Sequence, residues 1–278
     1  ETFAIPVVQY RPRYLSLATE HPLAAGWDPH AALKEADVVL AIECDVPWIP
    51  VQGAPRPEAK IIHIGADPLF ARYPMRGFRT DIALAGALAP ALTALCERTQ
   101  KHAASPARIE GRRKEAVLKN KTIREKARGG IDPMPASITG KWASACLNRA
   151  MGEDAILVNE YPIFLEEMTI AEPMRYFGTP PTGGLGWGLG AALGAKLAAP
   201  DRTVIAALGD GAYMFGNPTP GHFVGESMRL PVLYVVFNNA RWAAVHRSTL
   251  ATYPQGFAAK EKAPPFATLE PSPRFEHV

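Results

Sequence analysis

The sequence predicts an α/β protein with two helix-covered domains, each built on a parallel sheet. Short apolar, β-branched runs such as residues 37–43 (DVVLAIE) and 60–64 (KIIHI) end in polar or proline-bearing turns. Longer apolar runs follow at 155–160 (AILVNE), 203–211 (TVIAALGDG) and 230–239 (LPVLYVVFNN). Continuous apolar strands of this kind are typical of parallel sheets covered on both faces. Functional residues are then expected just past the carboxyl ends of the strands.

Helical segments alternate with these strands and predict the domain boundaries. The predicted helices are AALKEA before the first strand, an amphipathic helix over Ile82–Leu95, a charged helix within 101–133, and segments at 138–151 and 188–199. The glycine pair and the prolines of GGIDPMP end the charged helix. We therefore expect a first domain over 1–100, a basic linker helix over 101–133 and a second domain over 134–278.

The positive charge of the chain is concentrated in one segment. The 278 residues carry a net charge of +3, yet residues 101–128 hold ten Lys/Arg against three Glu, a local +7, which leaves −4 on the remainder. No aromatic residues are interleaved with these charges, so a solvated helix is favoured over a nucleic-acid surface. We expect no nucleic-acid partner.

The cysteines and the ends of the chain suggest a cytoplasmic protein that is part of a longer assembly. Cys44, Cys96 and Cys146 are far apart and show no CxxC or Cys/His metal spacing, which argues against disulfides and zinc. No long apolar run predicts a membrane span or a signal peptide. The first residues, ETFAIPVVQYRPRY, resemble the middle of a domain, so we expect upstream sequence to be lost or encoded elsewhere.

Two polar motifs follow neighbouring apolar strands and together predict a cation site. Asp210 lies between Gly209 and Gly211, and Asn239 ends the next strand. Carboxylate, amide and backbone oxygens suit Mg²⁺, which is commonly bound together with phosphates. The glycines allow close approach of a diphosphate, and a helix beginning after them would direct N–H groups at it. Taken singly, each motif is better interpreted as a turn, a tight turn for GDG and a strand-end turn for NN.

The spacing of these motifs resembles a known enzyme superfamily. GDG followed by NN, with 26 residues between Gly211 and Asn238, and the upstream run GGLGWGLGAALGAKLAAPDRTVIAALGDG resemble the thiamine diphosphate enzymes of the acetolactate synthase, pyruvate oxidase and benzoylformate decarboxylase superfamily. EADVVLAIECDVPWIP followed by AKIIHIGADP resembles their Rossmann-like middle domain. The resemblance spans about residues 30–250. It implies a middle domain truncated at its amino end and a thiamine diphosphate-binding domain truncated at its carboxyl end.

The resemblance implies a role for each matching position. Asp210, the Asn239 side chain and the Arg241 backbone carbonyl would bind Mg²⁺, and the N–H groups of Gly211 and Ala212 would bind the diphosphate. The Gly183 carbonyl would accept from the pyrimidine amino group, with Leu185 as the apolar residue that bends the cofactor. The full expected cofactor-binding set is Gly183, Gly184, Leu185, Gly209, Asp210, Gly211, Ala212, Asn239, Arg241, Trp242 and Ala243. The expected substrate cavity includes Ala244, Val245 and His246.

Two departures from the pattern make the expected phosphate site leaner. Many relatives carry Ser where this chain has Ala212, and relatives similar to benzoylformate decarboxylase offer hydroxyl residues where Tyr161, Pro162 and Ile163 follow Glu160. Neither change affects the expected metal ligands.

The implied activity is decarboxylation of a 2-oxo acid or transfer of the resulting acyl carbanion unit. In this superfamily a glutamate in a separate pyrimidine-binding domain activates the cofactor, so the catalytic glutamate is expected outside this chain. The implied partners are a small 2-oxo acid and either a second copy in a homodimer or tetramer or a chain carrying that domain. The alternative is a non-catalytic cofactor-binding or scaffold fragment.

Five candidates are weaker. Glu160 is not expected to replace the missing glutamate, because its position is matched within the diphosphate domain of relatives. Residues 186–191 (GWGLGA) fit a dinucleotide fingerprint, but no strand directly precedes them, so a nicotinamide dehydrogenase is disfavoured. Asp67 could meet FAD or ADP in the middle domain, although a strand-end turn is favoured. His222 is interpreted as structural and His246 as a possible substrate contact.

Overall fold

The computed structural model describes residues 1–101, 105–129, 131–132, 134–180, 183–261 and 266–278. These residues form two compact units. The first comprises Glu1–Tyr10 and His21–Ala127, and the second comprises Arg11–Glu20 and Arg128–Val278. The domain boundaries predicted from the sequence remain a prediction.

The first unit contains a three-stranded parallel sheet in the order β1-β2-β3. A small core of Leu33, Trp48, Ala59 and Ile61 packs against it. Its elements are α1 (His30–Leu33), β1 (Val38–Ile42), β2 (Lys60–Gly65), β3 (Ile82–Ala85), α2 (Leu88–Gln100) and α3 (Pro106–Arg128).

One prediction for the first unit was wrong in part. Ile82–Leu95 was expected to be a single helix, whereas Ile82–Ala85 is a strand that pairs with β2 and the helix starts only at Leu88. The exposed edge of β2 offers hydrogen bonds to these four apolar residues, and Ala87 with extended backbone then separates strand from helix. Sheet pairing thus overrides the helical periodicity of the segment.

The second unit contains a four-stranded parallel sheet in the order β5-β4-β6-β7. Its strands are β4 (Ile156–Glu160), β5 (Tyr176–Gly178), β6 (Val204–Gly209) and β7 (Leu233–Phe237). Its helices are α4 (Gly140–Ala150), α5 (Trp187–Ala198), α6 (Asp210–Phe215), α7 (Pro218–Ser227), α8 (Ala243–Thr252) and α9 (Phe257–Lys260). The predicted α/β class with helix-covered parallel sheets is confirmed.

Burial is uneven across the second sheet. The central strands β4 and β6 are almost entirely buried and form a core with α5, in which Leu189 and Ala192 face Val204, Ala206 and Leu208. The edge strand β7 is only half-buried, and Leu233 is exposed. The expectation that every apolar strand is buried on both faces therefore fails for β7.

The basic helix α3 carries its charges at the surface of the first unit. Pairs four residues apart, such as Glu115 and Lys119 at 2.9 Å, offset part of the positive charge, and Ala116 is the buried position along it. None of the helices in the described part of the chain combines the length and apolar character needed to cross a membrane. Residues 102–104, 130 and 133 of the predicted linker lie outside the described residues.

Candidate functional site

A buried carboxylate joins the carboxyl ends of β6 and β7. Asp210 is the first residue of α6 and is 2% exposed. Its Oδ2 accepts from the backbone N–H groups of Asn239 at 3.1 Å and Arg241 at 3.3 Å, and its Oδ1 accepts from the Gly211 N–H at 2.8 Å. Because β6 and β7 are paired, the two motifs singled out in the sequence meet through this side chain. The strand-end convergence expected of them is present.

The turn after β7, which contacts this carboxylate through its N–H groups, contains oxygens that accept no hydrogen bond within the described part of the chain. Asn238 closes the turn by accepting from the Ala240 N–H at 3.0 Å, and Ala240 has a left-handed backbone with a φ of 53°. Among the described residues, the side chain of Asn239 makes no hydrogen bond and the Arg241 carbonyl accepts none. The amide oxygen of Asn239 and the carbonyl oxygen of Arg241 therefore have no hydrogen-bond donor among the described residues.

This donor set fits a magnesium ion. Within the described ranges no Lys, Arg or His lies within ion-pairing distance of Asp210, so its negative charge is not neutralised by a cationic side chain there. The described residues also hold no group of three or more His, Cys, Asp or Glu that suits a metal. One carboxylate with neutral oxygens is the protein contribution that Mg²⁺ uses when phosphates complete its coordination.

Trp242 packs over the start of α6. A Cβ built on Gly211 would lie 2.6 Å from Cε3 and Cζ3 of the Trp242 indole, so only glycine fits at that position. The Gly211 N–H, expected to bind diphosphate, donates to Asp210 in this structure. Ala212 is buried in the first turn of α6. The glycine at this position thus allows close packing against Trp242.

The expected substrate-cavity residues form the first turn of α8. Ala243 begins this helix, and Ala244 and Val245 are exposed. Nε2 of His246 is buried and makes no hydrogen bond to any described residue. The structure thus places the three cavity residues directly after Trp242, and His246 retains one uncommitted ring nitrogen.

A second buried carboxylate, which the sequence reasoning did not assign to this role, holds the segment before α5. Glu160 ends β4, is 0% exposed, and accepts from the N–H groups of Gly186 at 2.7 Å and Gly188 at 2.6 Å. Burial raises the pKa of its carboxyl above the ordinary 4.5, and the two N–H donors lower it by less. A signal was present in the sequence, since an acid at a strand end and a glycine-rich helix start suit each other.

This arrangement explains why the glycine pattern at 186–191 is not a dinucleotide site. The Glu160 carboxylate already occupies the amino-terminal N–H groups of α5, where a dinucleotide would place its phosphates. The preceding strand, β5, ends at Gly178, well before the pattern. Gly186 instead has a φ of +84°, and its backbone meets that of Gly216, so that a Cβ on Gly186 would lie 2.5 Å from the Gly216 Cα.

The segment Gly183–Leu185 lies between the end of β5 and the start of α5. Gly183 has a φ of +62°, Gly184 has open space around its Cα, and Leu185 is partly buried. The Tyr161 hydroxyl donates to the Gly183 carbonyl at 3.4 Å. No described contact joins this segment directly to Asp210, and the close approach of Gly186 to Gly216 links the start of α5 to the end of α6.

Two other candidates lie in structural settings. His222 lies on α7, and its Nε2 is 2.5 Å from the Tyr213 hydroxyl. Asp67 accepts from the Ala71 N–H at 2.9 Å within the turn after β2. Both side chains have local partners that account for their positions.

Comparison with known proteins adds a family assignment to this geometry. The family model described as "Thiamine pyrophosphate enzyme, C-terminal TPP binding domain" matches residues 160–276, which include both buried carboxylates. A benzoylformate decarboxylase of Pseudomonas aeruginosa is 36% identical over 96 residues, 33% of this chain and 18% of that protein. The mouse 2-hydroxyacyl-CoA lyase 2 is 28% identical over 238 residues, 83% of this chain and 37% of that protein.

A solved structure shares the fold over nearly the whole chain. The thiamine diphosphate-dependent 4-hydroxybenzoylformate decarboxylase of Rhodococcus jostii RHA1 superposes with a TM-score of 0.65 at 21% identity, covering 97% of this chain and 48% of that one. The chain thus spans less than half the length of the relatives it matches. The family model and these relatives agree, and they place the segment 160–276 in the thiamine pyrophosphate-dependent enzyme superfamily.

Proposed function

We propose that this chain is the thiamine diphosphate- and Mg²⁺-binding part of an enzyme that decarboxylates a 2-oxo acid or transfers the resulting acyl unit to an acceptor. The observation that carries the proposal is Asp210, a buried carboxylate without a cationic partner among the described residues, which accepts from the N–H groups of Asn239 and Arg241. Three backbone N–H groups satisfy the Asp210 oxygens in this structure, and a bound cation would add a positive partner that no described side chain supplies. The family assignment supplies the class of cofactor.

The proposed roles are those that the family resemblance implies for these positions. Asp210, the Asn239 side chain and the Arg241 carbonyl hold Mg²⁺, and Gly211 and Ala212 face the diphosphate. The Gly183 carbonyl accepts from the ring amino group, and Leu185 supports the ring from its apolar side. When bound, thiamine diphosphate supplies the electron sink for cleavage of the carbon–carbon bond to the carboxylate.

The substrate side of the site is proposed to begin at α8. Ala244 and Val245 offer exposed apolar surface, and the uncommitted Nε2 of His246 offers a polar contact for a small 2-oxo acid. An imidazole nitrogen can donate or accept a hydrogen bond, which suits contact with the carboxylate or carbonyl of such a substrate. Homodimer or tetramer formation, or a partner chain with the pyrimidine-binding domain, and a cytoplasmic location belong to the same proposal.

Glu160 is not proposed as the activating carboxylate. It is fully buried, and each of its oxygens accepts from a backbone N–H of the α5 start. The activating glutamate is therefore assigned to a separate domain. A chain that binds the cofactor but cannot activate it alone is the second candidate function.

The test is calorimetric titration of the chain with thiamine diphosphate, first with Mg²⁺ and then with EDTA, beside Asp210→Ala. We expect binding that requires both the metal and Asp210. Metal-independent binding, or binding unchanged in Asp210→Ala, would overturn the metal site. Turnover of 2-oxo acids after addition of a related pyrimidine-binding domain separates an enzyme part from a cofactor-binding scaffold.

A further inference from the structure

Tyr161 has a backbone conformation that a tyrosine rarely adopts. It follows β4 directly with a φ of 78°, in the left-handed region that favours glycine, and its side chain is half-exposed. A bulky residue in this region is strained, and such strain persists only where the surrounding structure imposes it. Strained residues of this kind concentrate at binding sites, so the contacts of Tyr161 are of interest.

The neighbours of Tyr161 fix its backbone on the strand side. Glu160 is anchored by the N–H groups of Gly186 and Gly188. The amide of Asn159 is buried, donates to the Tyr176 hydroxyl at 3.0 Å and accepts from the Ile163 N–H at 3.2 Å. The chain on both sides of Tyr161 is thus held by buried hydrogen bonds, and the ring is directed over the segment before α5.

The side chain of Tyr161 reaches the carbonyl that is proposed to receive the cofactor ring. Its hydroxyl donates to the Gly183 oxygen at 3.4 Å, and the same hydroxyl would lie 3.3 Å from a Cβ built on Gly183. The bond is long and the ring is half-exposed, so this contact can be exchanged without disturbing the core. The Tyr161 hydroxyl is therefore bound to the carbonyl oxygen that the proposal assigns to the cofactor ring.

We propose that the Tyr161 hydroxyl competes with the ring amino group of thiamine diphosphate for the Gly183 carbonyl, so that Tyr161 is a cofactor-site residue that weakens binding of the ring. This inference rests on the proposed function of the site. Binding of the amino donor displaces the hydroxyl, whereas binding of the diphosphate alone leaves it in place. The effect of Tyr161 is thus confined to the ring end of the cofactor.

The test compares wild type, Tyr161→Phe and Tyr253→Phe in titrations with two probes, thiamine diphosphate with Mg²⁺ and inorganic diphosphate with Mg²⁺. Phenylalanine keeps the aromatic ring and removes only the hydroxyl. Tyr253 is also an exposed tyrosine of the second unit, and its hydroxyl has no hydrogen bond to the described residues. It serves as the matched control.

We expect Tyr161→Phe to bind thiamine diphosphate about 2- to 10-fold more tightly than wild type, as loss of one competing hydrogen bond implies, with inorganic diphosphate unchanged. Tyr253→Phe should match wild type with both probes. In 3-fluorotyrosine-labelled protein, the ¹⁹F resonance that Tyr161→Phe removes should shift on addition of thiamine diphosphate and not of inorganic diphosphate.

The remaining outcomes separate the two proposals. Equal or weaker binding of thiamine diphosphate by Tyr161→Phe, or a ¹⁹F resonance that the cofactor does not shift, overturns the competition while the proposed function stands. An equal gain in affinity for both probes also overturns it, because the effect would then not be specific to the ring. No binding of either probe by wild type overturns the proposed function, and the inference falls with it.

Discussion

Two buried carboxylates end neighbouring strands of the second sheet, and they are used differently. Glu160 ends β4 and Asp210 follows β6, its paired neighbour, and both accept from backbone N–H groups. Each carboxylate oxygen of Glu160 accepts a hydrogen bond from one N–H group at the start of α5. Asp210 instead accepts from two N–H groups of the turn after β7. The Asn239 amide oxygen and the Arg241 carbonyl oxygen in that turn have no hydrogen-bond donor among the described residues.

The difference shows that burial of a charge does not by itself identify a ligand site. Glu160 is surrounded by donors, so its negative charge is satisfied by backbone dipoles and supports a helix terminus. Asp210 is surrounded by donors and by unused acceptors, and acceptors crowded around a negative charge favour a cation. The neighbours of a carboxylate, more than its exposure, separate a structural role from a metal-binding one.

The largest expected effect tests this contrast directly with two matched amides. Asp210→Asn should weaken Mg²⁺-dependent binding of thiamine diphosphate by about 100-fold or more, because the only charged metal ligand is lost. Glu160→Gln should weaken it by less than about 10-fold and should instead lower the free energy of unfolding by about 1–3 kcal/mol, since its amide NH₂ would face a backbone N–H. Calorimetry and urea unfolding measure the two quantities.

The contrast between the carboxylates would collapse if the two amides had equal effects on metal-dependent binding. A Glu160→Gln protein that loses binding but unfolds at the wild-type urea concentration would place Glu160 at the ligand. Asp210→Asn with full metal-dependent affinity would remove the cation site from β6.

An intermediate effect is expected at the backbone crossing that Glu160 supports. Gly186→Ala would place a Cβ 2.5 Å from the Gly216 Cα in a left-handed conformation, and should lower the free energy of unfolding by about 2 kcal/mol or more. Gly184→Ala is the control, because a Cβ there meets no atom within 4 Å and its φ lies outside the left-handed region. Urea unfolding of both variants measures this difference in the free energy of unfolding. Equal stabilities would show that the segment before α5 is free to move away from α6.

The contact between Asp210 and the turn that contains Asn239 was predictable from the sequence because both residues lie at strand ends, whereas the metal site itself remains a prediction. Gly209, Asp210 and Asn239 directly follow or end apolar runs, and parallel pairing of β6 and β7 brings such ends together. The role of Glu160 was not predicted, since its partners at Gly186 and Gly188 are brought to it by the path of the chain between β4 and α5. The left-handed backbone of Tyr161 could not be predicted either, because nothing local in the sequence favours it.

The fold was predictable for similar reasons, and the exceptions are at the sheet edges. Buried central strands such as β6 are strongly apolar and have little alternative. At the edges, β3 has the composition of a helix and becomes a strand by pairing with β2, while β7 is apolar yet half-exposed. Edge strands depend on tertiary pairing more than on their own residues, so periodicity alone assigns them poorly.

The smallest expected effect is a pH dependence that belongs to Glu160 and not to a group in solvent. Burial raises the pKa of this carboxyl above 4.5, so the folded chain keeps a proton that the unfolded chain has already released. The stability that this proton contributes is complete below pH 4.5 and is lost as the pH rises through the folded-state pKa. Glutamine cannot titrate, so the stability difference between wild type and Glu160→Gln should be greatest near pH 4.5 and shrink towards neutrality.

Urea unfolding of both proteins across this range measures that difference. Burial also raises the pKa of Glu167, but this group is common to both proteins and cancels in the comparison. A difference that grows with pH would mean that the N–H groups of Gly186 and Gly188 outweigh burial and hold Glu160 ionised. Glu160 would then be a charged structural carboxylate, and its difference from Asp210 would lie only in the donors and acceptors around each of them.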